Sequence, residues 1–174
     1  MRTHLSLVNQ KLGFASTLLL LAADSELISV GSLRCRAIQE SILLHLYTAF
    51  HFYQRELAEL NGIKMPELID SMDSLVNGLN QLGKQPSEVL ELQSICAEKG
   101  SWLNQLLNQY KLIFISPPKA VEKKAFVQEG MIELVDVSQD TIEVNAELDL
   151  KILAEWLNEF KALILRHRET GAEY

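Results

Sequence analysis

Apolar residues recur along most of the chain at steps of three and four, the period that turns one stripe of an α-helix inward. Leu5, Val8, Leu12, Ala15, Leu19 and Ala22 form the first stripe, widened by Phe14, Leu18 and Leu21, and predict a helix from about Thr3 to Ser29. Gly31-Ser32 reads as a break followed by a new N-cap. A second long helix then covers about Leu33 to Asn61, with Ile38, Ile42, Leu46, Ala49, Tyr53, Leu57 and Leu60 facing inward. Asn61-Gly62 supplies a left-handed stop.

Pro66 fits the first turn of a third helix, where its missing N–H costs nothing. Leu68, Ile69, Met72, Leu75, Val76, Leu79 and Leu82 give that helix its apolar face, and Gly83 ends it. Pro86-Ser87 opens a fourth helix carrying Val89, Leu90, Leu92, Ile95 and Cys96. Gly100-Ser101 starts a fifth with Trp102, Leu103, Leu106, Leu107, Tyr110, Ile113 and Phe114, stopped by Pro117-Pro118. The last helix runs from about Ala146 to Glu169 with Leu150, Leu153, Trp156, Leu157, Phe160, Leu163 and Ile164 on one face.

Between the fifth and last helices the period changes. Residues 131–137 and 141–144 are β-branched and partly alternate, with Ser138-Gln139-Asp140 between them as a turn. The expected architecture is therefore mainly α, a single domain over 1–174. It is a bundle of about six helical segments, with a short acidic β-hairpin at about 129–145 inserted before the C-terminal helix.

Composition agrees with a helical globular protein: Leu dominates, while Gly and Pro number only 8 and 4. The formal net charge of −7 opposes non-specific binding to nucleic acid or anionic lipid, so neither nucleic acid nor membrane is expected as a partner. From Ala125 to Leu150 there is no Lys or Arg but seven carboxylates, read as a solvated acidic face. Cys35 and Cys96 are too few and too far apart for a disulfide framework, which favours reduced thiols in the cytoplasm. The apolar stretch Leu12 to Ala23 faintly resembles a signal peptide, but Asp24 and Glu26 end it short of the roughly 20 residues of a membrane span. It is read as part of a bundle helix.

Catalytic signatures fail on spacing. There is no Gly-x-Gly-x-x-Gly, Gly-Lys-Ser/Thr or Gly-x-Ser-x-Gly, and neither Glu-x-x-His nor His-Glu-x-x-His. No metal and no cofactor are expected. A HEPN-type ribonuclease would place an Arg shortly before a His, whereas Arg34 and Arg36 precede His45 by too much and Arg55 follows His51. His45 lies nearer the apolar face, as a hydrogen-bonded core histidine would. What remains is a polar stripe on the second helix, Glu40, Tyr47, His51 and Arg55, at spacings of seven, four and four. Those side chains are the candidate ligand-binding residues, although a solvent-facing helix surface accounts for the same pattern.

Three local strings carry a resemblance. Asn9-Gln10-Lys11-Leu12-Gly13-Phe14-Ala15, Leu43-Leu44-His45-Leu46-Tyr47 and Arg168-Glu169-Thr170-Gly171-Ala172-Glu173-Tyr174 together resemble a small gammaproteobacterial family of this length, found in pseudomonads and relatives, whose function is unknown. The resemblance implies a bacterial cytosolic protein with an all-helical fold, and it assigns no catalytic residue. The functional expectation is a non-enzymatic helical interaction or assembly protein, its partner another protein or a second copy of the chain. The alternative is a small-ligand-binding protein or enzyme that uses the stripe on the second helix.

Overall fold

The computed structural model describes residues 3–24, 32–115 and 148–171. Among these residues the chain is mainly helical and contains no strand. Six α-helices and one 3₁₀ turn (η1) follow in order: α1 His4–Asp24, α2 Leu33–Leu60, η1 Pro66–Leu68, α3 Met72–Gln81, α4 Ser87–Ala97, α5 Trp102–Leu112 and α6 Leu150–Gly171. The hairpin expected at about 129–145, and the continuation of the first helix to Ser29, lie outside the described residues.

Local chemistry explains most boundaries. The Thr3 hydroxyl accepts the Ser6 N–H at the start of α1, and the Ser32 hydroxyl accepts the Cys35 N–H at the start of α2. At the end of α2, the Gly62 N–H reaches Glu59 O and the Ile63 N–H reaches Ala58 O, the paired bonds of a Schellman stop. Gly62 has φ +85°, which a side chain would resist.

Three expected boundaries move. The third helix does not run on from Pro66: η1 ends at Leu68, Ile69 is extended, and α3 begins only at Met72. Ser71 and Ser74 exchange side-chain-to-backbone hydrogen bonds at 3.1–3.2 Å, a capping box that fixes a new helix start. The fifth helix stops at Leu112, ahead of Pro117, because i→i−3 bonds from Ile113, Phe114 and Ile115 tighten its last turn. The last helix starts at Leu150 rather than Ala146, since residues 148–149 are not helical.

α2 is the central element, and Ile42, Leu43, Leu46, Ala49, Phe50, Tyr53 and Leu57 bury its inner face. α1 lies along it and inserts Val8, Leu12 and Ala15, while α6 adds Leu153, Trp156, Leu157, Phe160, Leu163 and Ile164. Leu60, Leu68, Leu82 and Leu90, expected inward, are instead exposed. Leu60 and Leu82 sit at helix ends, where the stripe has no neighbour to cover it. α1 also meets the length and hydropathy of a membrane span when counted from His4 to Ala23, with mean hydropathy 1.3. The core helix of a soluble protein and a signal sequence meet the same test. Here one face packs on α2 and the other leaves Leu20 and Leu21 exposed.

Two partly buried polar knots tie distant elements together. Arg168 forks onto Glu56, with Nε and Nη2 each 2.8 Å from a carboxylate oxygen, and its Nη1 reaches Asn9, joining α6, α2 and α1. The imidazole of His167 lies between Tyr53 Oη at 2.6 Å and Glu91 Oε2 at 2.9 Å. An ionised carboxylate only accepts, so Nε2 carries the proton and Nδ1 takes the phenol's hydrogen.

The hydrogen bond from His167, reinforced by Arg166, holds the Glu91 carboxyl below its ordinary value of 4.5. A depressed carboxyl stabilises the fold above that ordinary value and loses its contribution as pH falls through the folded one. The melting temperature of the native protein should therefore fall toward that of Glu91→Gln as pH drops from 6 to 3. A constant gap across that range contradicts this.

Candidate functional site

Along α2 the row Tyr47, Phe50, His51, Gln54 follows the i, i+3, i+4, i+7 spacing that lines one helix face. All four side chains line a cleft of about 280 Å³. α5 supplies the facing wall with Leu107, Tyr110 and Lys111, and Cys96 at the end of α4 contributes to the lining. Asp70, Ser71 and Met72, from the segment between η1 and α3, complete it. The Arg55 guanidinium donates from Nε to the Ile69 carbonyl at 3.0 Å, which fixes that segment beside α2.

The candidate stripe thus divides. Tyr47 and His51 line the cleft, Arg55 supports its edge without lining it, and Glu40 is exposed about two turns away along α2. His45 departs from expectation. Its ring packs edge-on against Phe14, and its buried Nδ1 has no hydrogen-bond partner among the described residues.

The cleft walls are largely apolar and aromatic. Tyr47 and Tyr110 stack with ring centroids 3.5 Å apart and planes 6° from parallel. Burial raises the Tyr47 phenol above its ordinary value, helped by Tyr110 and Asp70, so it stays protonated at neutral pH. Burial also lowers His51, with Arg55 acting in the same direction and Asp70 opposing, which favours the neutral ring. Burial pushes the Cys96 thiol up to about 11, so it is not an activated nucleophile. Asp70 is held below its ordinary value chiefly by hydrogen bonds from Ser71 and Ser74.

Gln54 stands out. Its residue is 2% exposed, it lines the cleft, and no described residue hydrogen-bonds its carboxamide. Among the described residues the one side-chain polar atom fully out of solvent and without a partner is His45 Nδ1, so the Gln54 amide, with no protein partner, keeps its contact with solvent through the cleft. By contrast Glu56 and His167, the other buried polar residues among those described, are both paired. Gln54 is hard to single out from the sequence. Its signal was a polar residue beside the inner-face position Tyr53, four residues after the buried Phe50.

Nothing in the cleft forms a nucleophile–base pair: among the described residues no hydrogen bond links His51 to Tyr47, Asp70 or Cys96. No group of three His, Cys, Asp or Glu side chains converges there as a metal ion would require. The Tyr53–His167–Glu91 series has the order of a proton relay, but Tyr53 is 1% exposed and burial raises its phenol far above the ordinary value. It is an internal brace.

Comparison with curated proteins and with solved structures gives no match. A family model covers the whole chain, residues 1–174. The chain belongs to the family of unknown function DUF6586.

Proposed function

We propose that this is a binding protein rather than an enzyme, and that it holds a small molecule in the cleft between α2 and α5. The Gln54 carboxamide carries this reading, since it lines the cleft with no protein partner among the described residues and is free to exchange its solvent contacts for a ligand's. An apolar concavity with a few convergent polar groups is the usual form of a small-ligand site. Its supports for binding over catalysis are the protonated Cys96 thiol and a His51 without a hydrogen-bonded nucleophile. The two free cysteines fit a cytoplasmic location.

A thermal-shift screen of small metabolites tests the proposal. Compounds that raise the melting temperature of the native protein should lose most of that effect in Gln54→Leu and Tyr47→Ala. A broad library without hits, or shifts equal in native protein and variants, overturns it.

A separate observation favours assembly. Leu20 is 66% and Leu21 56% exposed near the end of α1, and Phe14 is exposed on the same helix. Apolar side chains of this size on one helix fit a contact with a protein partner or a second copy. Sedimentation at micromolar concentration should then show a dimer or larger species that Leu20→Glu/Leu21→Glu dissociates. A strict monomer would refute self-association.

A further inference from the structure

Resting on the cleft reading above, we infer that the ligand is a neutral, planar ring compound whose edge carries an N–H next to a C=O, as in a lactam or a pyrimidine base. The inference comes from what can satisfy Gln54 in that place. A carboxamide offers donors and an acceptor side by side, and its complement is an edge with the same two functions reversed. Glutamine pairs with base edges through this two-bond pattern. A lone carboxylate would leave the carbonyl without a donor, and a lone ammonium would leave the NH₂ without an acceptor.

Charge and size point the same way. Lys111 and Asp70 oppose each other, and His51 and Tyr47 are pushed toward their neutral forms, so the lining carries no net formal charge to attract an ion. At about 280 Å³ the cleft lies at or below the range of drug-sized pockets, which suits one or two fused rings rather than a dinucleotide or a peptide. The stacked Tyr47–Tyr110 pair joins α2 to α5 and borders the cleft with aromatic carbon, which favours an apolar ring over a flexible polar ligand.

Isothermal titration of the full chain with three matched rings tests this. The probes are 2-pyridone, which has the N–H/C=O edge, N-methyl-2-pyridone, which lacks the donor, and toluene, which lacks both. The native protein should bind 2-pyridone at least about fivefold more tightly than the methylated ring, as loss of a buried hydrogen bond implies. That preference should disappear in Gln54→Leu, and in Gln54→Met as a second variant of closer shape. Equal binding of all three rings, tighter binding of toluene, or a preference that survives both variants overturns the inference. So does failure of all three to bind. In each case hits from the metabolite screen that depend on Tyr47 and Gln54 would still support the cleft, whereas a screen without hits would remove the cleft and the ligand class together.

Discussion

Replacing Arg168 by alanine is expected to destabilise the protein by about 3–5 kcal/mol. Glu56 is 3% exposed, and both of its carboxylate oxygens are held by the Arg168 fork at 2.8 Å. Removing the guanidinium leaves that carboxylate out of water with nothing to compensate it. The Asn9 amide oxygen loses its donor in the same step, so this polar tie between α6 and α1 goes with it. Urea unfolding should show the loss as a lower midpoint. Arg168→Lys should recover little, since one ammonium cannot reproduce two parallel bonds. Replacing both partners, Glu56→Leu with Arg168→Met, should recover most of it, because the pair's attraction is largely offset by its own desolvation.

Phe160→Ala is expected to cost about as much, roughly 3–5 kcal/mol. Phe160 is fully buried on α6, edge-on to Tyr53 of α2 at 6.0 Å and tilted against Trp102 of α5 at 5.4 Å. Its removal leaves a cavity where three helices meet, and they cannot all close on it. The loss should appear as a lower denaturation midpoint and a weaker near-ultraviolet signal from Trp102. Leu33→Ala makes the contrast: with its side chain mostly in solvent, it should move stability by no more than about 0.5 kcal/mol.

The sequence was informative wherever a signal was local. Both ends of α2 follow from Ser32 and from Asn61-Gly62, and the α6 face follows from its three- and four-residue steps. The start of the third helix is obscured in the sequence because Pro66 is a good first-turn residue. Its competitor, the Ser71–Ser74 box, has Ser where Glu or Gln more often marks a helix start. The polar knots were invisible because their partners lie far apart in sequence: Tyr53 with His167, Glu56 with Arg168 and Glu91 with His167. The candidate site was half legible for the same reason. Tyr47 and His51 stand out on one helix, but the facing wall comes from α5 and the segment before α3. Gln54 could not be singled out until that wall was known, because polarity at an inward position acquires meaning only when its surroundings fail to pair it.

Gln54→Leu, measured by urea unfolding of the ligand-free protein, tests the central claim most directly. A carboxamide whose only partner is solvent in the cleft adds no hydrogen bond within the fold, and leucine fills a similar volume. The variant should therefore unfold at the same urea concentration as the native protein or a higher one, while losing the ligand-induced shifts. A fall in stability of about 1 kcal/mol or more would mean that Gln54 has a partner within the fold, and the cleft would lose the group on which its ligand depends.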